Sequence, residues 1–321
     1  MQEGEYDVVK ASEQIAKSQL SRGDEMIAGQ LVFDGLGQGL VFVILATGLV
    51  LITSVNKMLF MAYGMFYTIG AYTTWYVTQS LHMNYVLGLF AAILATGLIG
   101  VAVYLLVFQR LQKVEGGFMA TLIASIGLMM MLNQANLLVF GTQARGIPSV
   151  INGIVTLGGV TMPVAKIALI VIGIAVCVAL FLVYEKTSLG RSMRAVSILP
   201  DTARLHGING KWICMISLGL GTALAGIAGG LIAPINGMNT DMGTNVVWTV
   251  LLMCMLGGMD SLLGALAGGL VIGQVLSFGQ YYLQVYLGNG ALVQILLFII
   301  IGVVLYFKPN GLLGRGVDVG V

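Results

Sequence analysis

The chain has 321 residues, of which 58% are hydrophobic and only 9% are charged, and its formal net charge is +2. Soluble domains carry about 25% charged residues, so a soluble fold is excluded and most of the surface must face lipid or apolar partner helices. The small net charge gives no support to nucleic-acid binding.

The first 27 residues differ from the rest, because they carry six acidic and three basic side chains. They lack the basic start of a secretory signal, so cleavage is not expected. We predict a polar N-terminal tail or surface helix over 1–27, a single transmembrane domain over 28–315 and a C-terminal tail over 316–321.

Apolar blocks that approach the length of a membrane span, about 20 residues as helix, recur along the chain. The block 59–78 is rich in Gly and Tyr and the block 245–257 is short, so a broken or re-entrant helix covered by protein is expected. We predict an all-α polytopic membrane protein with about eight transmembrane helices plus one broken or short segment. The candidate blocks are 36–53, 59–78, 85–108, 118–140, 164–184, 212–235, 245–257, 262–286 and 290–307.

The distribution of basic residues orients the spans, because cytoplasmic loops are enriched in Lys and Arg. The segment 185–211 has five basic residues and is predicted to be cytoplasmic, whereas the loop 141–163 has only Arg145 and is predicted to be external. The other basic residues that mark cytoplasmic positions are Arg110, Lys113, Lys308 and Arg315. The side of the N-terminus stays open.

Within the cytoplasmic segment, residues 199–206 have the pattern of a short capped helix. Pro200 suits the first turn, where its missing N–H would have no partner anyway. Asp201 and Arg204 match the helix dipole, and Gly207 suits a left-handed cap. Such a helix is suited to docking in the cleft of a partner, although a basic loop that only fixes topology is the simpler alternative.

Small residues recur four positions apart in two of the apolar blocks. This spacing allows close approach of helices in a membrane, and we expect it to serve tight packing within the chain and pairing with a second subunit. The residues are Gly221, Ala225, Gly229, Gly264 and Gly268.

Several ordered motifs between about residues 30 and 315 resemble one known family. "TSLGRSMRAV" followed by "PDTARLHGIN" is similar to the ATPase-contacting loop of permease subunits in ABC importers of the branched-chain amino acid type. "TLIASIGLMMMLNQA" with "NLLVFGTQ", "GTALAGIAGGLIAPINGMNTDMG", "LGGMDSLLGALAGGLVIGQV" and "LYFKPNGLLGR" also match that family.

The resemblance implies a permease subunit in a bacterial inner membrane that translocates a small amino acid or amide-like solute by alternating access. It would work with a second permease copy or paralogue, two cytoplasmic ATPases and a periplasmic solute-binding protein. A cytoplasmic coupling helix at about 199–207 would transmit ATPase closure. The implied coupling residues are Arg191, Arg194, Pro200, Asp201, Ala203, Arg204, Leu205 and Gly207.

Two positions depart from the family pattern. Tyr63 stands between Ala62 and Gly64 where the family commonly has Ala-His-Gly, and Asp260 stands where it commonly has Gly. The first change lies near the expected pathway, so urea or aromatic acids remain alternatives to branched-chain amino acids. Polar side chains within apolar blocks are the candidates for the pathway, with interhelical hydrogen bonding as the alternative for each. They are Tyr63, Tyr67, Asn133, Gln134, Asn136 and Gln274.

Two other functional classes are weighed against this interpretation. A secondary transporter or channel would explain the spans, but no charged residue lies in the middle of a clear span to couple an ion. An intramembrane enzyme lacks H-E-x-x-H and G-x-S-x-G, and ATP binding lacks G-x-x-x-x-G-K-[ST]. We therefore expect a transporter subunit that is not itself an enzyme and that needs no cofactor.

Overall fold

The computed structural model describes residues 2–112, 117–147, 153–157, 160–258, 261–308 and 311. Side chains are described from residue 28 onward, apart from most of those in the segment 154–162. Lys113, Asp260, Arg315 and the tail 316–321, which entered the sequence predictions, lie outside the described residues.

The described chain is almost entirely helical. Two short strands, β1 (Ile154–Leu157) and β2 (Val160–Pro163), pair antiparallel as a hairpin in the loop predicted to be external. The helices are α1 (Gln2–Asn56), α2 (Tyr63–Trp75), α3 (Tyr85–Val103), α4 (Gln109–Leu111), α5 (Gly117–Phe140), α6 (Val164–Lys186), α7 (Ser188–Ile198), α8 (Pro200–Leu205), α9 (Gly210–Asn236), α10 (Met242–Gly257), α11 (Leu262–Leu287) and α12 (Val293–Phe307).

The helices confirm the predicted all-α membrane architecture. Seven are long and apolar enough to cross a membrane, and α10 is a shorter apolar helix. The 13 residues of α2 are extended by a π-helical turn at Tyr76–Ser80. The first span runs from Ala28 to Asn56, and α1 continues toward the N-terminus as helix to Gln2.

Burial divides the spans into an inner and an outer set. In the most apolar stretch of α1, 78% of the residues are buried, against 11% in α6 and 17% in α5. The core is built mainly where α1 packs against α9 and α11, and where α2 packs against α9. The outer helices α3, α5, α6 and α12 therefore leave apolar surface for lipid or for other subunits.

The small residues predicted to mediate close packing do so within this chain. A Cβ atom at Gly229 would clash with the backbone of Tyr67 on α2, and one at Gly264 would clash with the backbone of Gly257 on α10. The remaining three residues also face neighbouring helices of the same chain; they are Gly221, Ala225 and Gly268. The expectation that these faces also serve subunit pairing stays a prediction.

Contacts at the two ends of the first span, Ala28–Asn56, connect it to opposite sides of the molecule. Near the start of this span, Asp34 forms an ion pair with Lys166 at the beginning of α6, directly after the external hairpin. At its other end, the Asn56 side-chain amide donates to the backbone oxygen of Cys214, 3.4 Å away in the first turns of α9. With the segment 185–211 on the cytoplasmic side, the first span therefore runs inward.

Candidate functional site

The basic cytoplasmic segment folds into two consecutive helices, α7 and α8. The Thr187 side chain caps α7 by accepting a hydrogen bond from the Gly190 backbone N–H (3.2 Å). Met193 and Val196 lie on one face of α7 and are buried in a small apolar cluster. The other buried members of this cytoplasmic cluster are Leu51, Val55, Ala203 and Ile213. The two helices are thereby seated on the cytoplasmic ends of α1 and α9.

The short helix α8 forms as its local sequence predicts. Pro200 occupies its first turn, Asp201 lies at the positive end of the helix dipole and Arg204 lies at the negative end. Gly207 follows with φ +80°, a backbone conformation that a side chain would disfavour. The helix covers Pro200–Leu205, shorter than the predicted 199–206.

Three large apolar side chains project outward around α8. Leu205 is 88% exposed, Ile198 at the end of α7 is 68% exposed and Leu199 between the helices is 58% exposed. Asp201 and Arg204 stand beside them and form an exposed ion pair of 3.5 Å. We call these five residues the α8 surface. An apolar centre with charges at its edge has the composition of a protein-docking surface.

The other predicted coupling residues occupy different surroundings. Arg194 does not belong to an outer polar rim, because its guanidinium donates to the backbone oxygen of Tyr184 (2.8 Å) and pairs with the Glu185 carboxylate (3.0 Å). Arg194 therefore ties α7 to the end of α6, which corrects the prediction. Ala203 is buried in the cytoplasmic cluster, whereas Arg191 is exposed. The sequence analysis missed Ile198 and Leu199.

Between α1 and α2 the chain is not helical, over residues 57–62. Unpaired backbone groups are costly inside a membrane protein, and α5 supplies partners here. The Ser125 hydroxyl accepts a hydrogen bond from the Met61 backbone N–H (3.3 Å). Its one proton is shared between two acceptors, the Leu59 carbonyl oxygen (3.2 Å) and the Leu122 carbonyl oxygen of its own helix (2.8 Å). Residues 59–62 of this segment are the irregular part of the Gly- and Tyr-rich block 59–78, which was predicted to be irregular from its composition.

Beyond this segment, α2 and α5 carry a group of buried polar atoms without protein hydrogen-bond partners. Among the residues that the structure describes, six buried side-chain oxygen or nitrogen atoms lack a partner, and five of them lie on these two helices. We call the five residues the polar seam; they are Tyr63, Thr68, Tyr72, Asn133 and Asn136. Within it, the Tyr63 hydroxyl lies beside Gly48 of α1 and the Thr68 hydroxyl lies beside Gly243 of α10.

Contacts at both ends hold the two helices of the polar seam together. Ser125 contacts Met61 at one end, and the Tyr72 ring stacks on Phe140 at 4.1 Å between centroids at the other. Along α5, Asn133 and Asn136 lie between these two contacts. Buried polar groups almost always find a partner, so the seam is suited to bind water or a polar solute.

The predicted pathway residues separate into three groups. Tyr63 and Tyr67 are buried on α2, and Asn133 and Asn136 carry unpartnered amide atoms on α5. Gln134 is exposed on the outer face of α5. Gln274 is engaged elsewhere, because its amide nitrogen donates to the Val32 carbonyl oxygen of α1 (3.2 Å) and so holds α11 against α1.

The external end of the polar seam is closed by Arg145. Its guanidinium lies 4.4 Å from the centre of the Trp75 ring and donates to the Phe140 carbonyl oxygen (2.9 Å). Its backbone also exchanges two hydrogen bonds with Met238, of 2.9 and 2.7 Å. Arg145 thus joins α2, α5 and the connection between α9 and α10 at one point.

Neither surface has the composition of a catalytic or metal centre. Over the described part of the chain, no three His, Cys, Asp or Glu side chains come together as a metal site would require.

Comparisons with known proteins relate this chain to transport permeases. The High-affinity branched-chain amino acid transport system permease protein BraD of Pseudomonas aeruginosa is 28% identical over 300 residues, covering 89% of this chain and 95% of the relative. LivH of Escherichia coli, described in the same words, is 24% identical over 302 residues with the same coverage. A probable branched-chain amino acid transport permease protein LivH of Methanocaldococcus jannaschii is 32% identical over 143 residues, which are 44% of this chain and 45% of that protein.

A solved structure, PsaBC from Streptococcus pneumoniae in complex with Fab, aligns with a TM-score of 0.48 and 12% identity over 89% of this chain and 96% of that chain. The family model described as "Branched-chain amino acid transport system / permease component" matches residues 31–305, most of the length of the chain. The chain therefore belongs to the permease-component family of branched-chain amino acid transport systems, and it is a multi-pass membrane permease subunit of an ABC importer.

Proposed function

We propose that this chain forms half of the membrane pore of an ATP-driven importer for a branched-chain or other small amino acid, or an amide-like solute. A second permease subunit, homologous or identical, forms the other half. A periplasmic solute-binding protein delivers the solute, and two separate cytoplasmic ATPases hydrolyse ATP. The chain itself performs no covalent chemistry and supplies the route and the mechanical link.

The observation that carries this proposal is the polar seam, the five unpartnered polar groups that α2 and α5 present to neighbouring helices. Each buried polar group without a hydrogen-bond partner lowers the stability of the fold by about 1–3 kcal/mol. Five such groups on two helices therefore destabilise the protein considerably. A route that water and solute occupy for part of the cycle would give these groups partners. Hydroxyl and amide groups, unlike buried charges, would bind a small polar solute weakly enough to release it.

The α8 surface supports a mechanical link to an ATPase. Leu205 is directed outward, while Ala203 on the same short helix is buried against the ends of α1 and α9. Displacement of α8 would therefore press on α1 and α9, and α9 in turn packs against α2. Packed helices transmit strain because protein interiors are close-packed. Alternating access would follow from movement of α2 relative to α5.

The outer face of α5 supports pairing with a second permease subunit. Gln134 is exposed within an apolar span, where contact with lipid is unfavourable for a polar side chain. The exposed side chains near it on α5 include Met130 (64%) and Leu138 (86%). A second permease subunit over this face would cover Gln134 and place the pathway close to the subunit boundary.

Transport by the reconstituted complex tests the proposal. Proteoliposomes containing the permeases and ATPases, with binding protein outside and ATP inside, are expected to accumulate labelled leucine. Omission of ATP should abolish accumulation. Uptake that persists without the ATPases would instead establish a secondary transporter or channel. Uptake of urea or an aromatic acid in place of leucine would keep the ATP-driven mechanism and reassign the solute.

A further inference from the structure

A cavity of about 400 Å³ opens on the cytoplasmic side, behind the α8 surface. It lies where the end of α1, the first turns of α5 and α9, and α8 meet. Pro200 and Arg204 line it from α8, whereas Leu205 is not among its lining residues. The cavity is therefore distinct from the outward-facing apolar part of the α8 surface.

Among the described residues that line this cavity, the charged side chains are all basic. Lys57, Arg204 and Lys211 line it, and none of its described lining residues is acidic. The Asp201 carboxylate, which does not line the cavity, forms an ion pair with Arg204 at 3.5 Å, and the Asp201 side chain is 93% exposed. An exposed ion pair of this kind contributes little, roughly 0–1 kcal/mol, so Arg204 can exchange this partner for a better-placed anion.

Two long helices direct their N-terminal turns at the same cavity. Gly117 and Phe118 of α5, which has 24 residues, line it together with Gly210 and Lys211 of α9, which has 27 residues. The side chain of Asn209 makes no capping hydrogen bond to α9. The first N–H groups of a helix bear partial positive charge and bind anions readily. These N–H groups add positive potential to that of Lys57, Arg204 and Lys211.

A buried amide provides an independent indication of a ligand. Asn56 lines the cavity and is 7% exposed, and its Oδ1 atom has no hydrogen-bond partner. Its orientation is fixed because Nδ2 donates to the Cys214 carbonyl oxygen at 3.4 Å. A buried carbonyl-type oxygen needs a donor. The ligand that completes this site must therefore carry a hydrogen-bond donor beside its negative charge.

We propose that this cavity binds a phosphate-bearing anion that also carries a hydroxyl donor. The phosphate would lie among Lys57, Arg204 and Lys211, and the hydroxyl would donate to Asn56. The headgroup of an anionic phospholipid such as phosphatidylglycerol and free hydrogen phosphate share this chemistry. Because the site joins α1, α5, α8 and α9, its occupant would hold α8 in the position in which the ATPase meets it.

The site is tested by lipid retention on the full-length permease. Native mass spectrometry of protein purified from mixed phosphatidylglycerol and phosphatidylcholine is expected to show preferential retention of phosphatidylglycerol. Lys57→Gln and Lys211→Gln should each reduce that preference about fivefold, as expected for loss of one Lys contact with an anionic lipid, about 1 kcal/mol. Lys186→Gln is the matched control, since Lys186 is exposed in the same basic segment but does not line the cavity.

A second experiment distinguishes a lipid headgroup from free hydrogen phosphate as the bound group. In phosphatidylcholine nanodiscs, inorganic phosphate should raise the thermal unfolding midpoint of the permease more than sulfate does, because sulfate has no donor for Asn56. Selective binding of either the lipid or the free ion supports the site and identifies its source. Equal retention of both lipids, together with equal effects of phosphate and sulfate, would overturn the proposal. So would lysine variants that lose only ATPase attachment, which would assign the cavity to an acidic side chain of the ATPase.

Discussion

Ser125 on α5 is hydrogen-bonded to the backbone of Met61, so that a helix supports a non-helical stretch deep in the protein. The same hydroxyl also lies 3.2 Å from the Leu59 carbonyl oxygen, which shares its proton with the Leu122 carbonyl oxygen at 2.8 Å. This relationship fixes where α2 begins and how it lies against α5. The geometry of the polar seam depends on it.

Ser125→Ala is therefore expected to destabilise the permease and to lower transport together. Loss of the hydroxyl leaves the partly buried Met61 N–H without its partner, at a cost of about 1 kcal/mol or more. The thermal unfolding midpoint and leucine uptake measure the two effects. Ser192→Ala is the control, because that hydroxyl bonds only to Ser188 within α7. Unchanged stability and uptake in Ser125→Ala would show that residues 57–62 keep their conformation without it.

Removal of hydroxyl groups from the polar seam should have the opposite effect on stability. Tyr63→Phe and Thr68→Val delete buried, unpartnered oxygens while preserving shape, so stability should rise or stay unchanged. Uptake should fall, because the solute or its water loses a partner. Tyr63→Ala would be a poorer test, since truncating a buried aromatic ring costs about 3–5 kcal/mol.

The matched control for the seam is Thr96→Val. Thr96 is equally buried, but its hydroxyl already bonds to the Ala92 carbonyl oxygen at 2.6 Å. It lies on α3, away from the seam, and uptake should remain near the parental rate. If the seam variants transport as well as Thr96→Val does, the unpartnered oxygens have no role in translocation and the pathway lies elsewhere.

Glycine substitutions should separate packing positions from open ones. Gly229→Ala and Gly264→Ala place a methyl group against the backbone of a neighbouring helix, so the yield of folded protein should fall sharply. Gly302→Ala meets nothing within 4 Å and should be neutral or stabilising by up to about 1 kcal/mol, the difference in helix propensity. Size-exclusion profiles of the detergent-solubilised variants measure the outcome. Equal profiles for all three would contradict the packing described for α2, α9, α10 and α11.

Much of the fold could be predicted because membrane spans have a strong sequence signal. Nine apolar blocks indicated nine helical segments, and the Gly- and Tyr-rich composition of 59–78 indicated irregular structure there. The position of the non-helical stretch could not be predicted, since it depends on Ser125, 64 residues further along the chain from Met61. The helices that pack against the small residues could not be predicted either. A spacing of four residues does not specify which helix lies opposite.

The candidate site was predictable where local rules determine structure. Pro200, Asp201 and Gly207 indicated a capped helix, and that helix is present. Which of its neighbours face outward depends on tertiary packing. Arg194 turns inward because Tyr184 and Glu185 lie beside it, and Leu199 stays exposed because Met193 and Val196 occupy the cluster. A basic sequence pattern carries no information about either outcome.

The most direct test of the account is binding-protein-stimulated ATP hydrolysis by the complex that contains Leu205→Asp. Leu205 is 88% exposed, so the change should leave insertion and folding intact. Leu81→Asp is the control, an exposed leucine that follows α2 on the external side. The account predicts that Leu205→Asp loses ATPase co-purification, stimulated hydrolysis and uptake, while Leu81→Asp retains all three. Parental hydrolysis and stimulation in Leu205→Asp would contradict the assignment of α8 as the coupling helix.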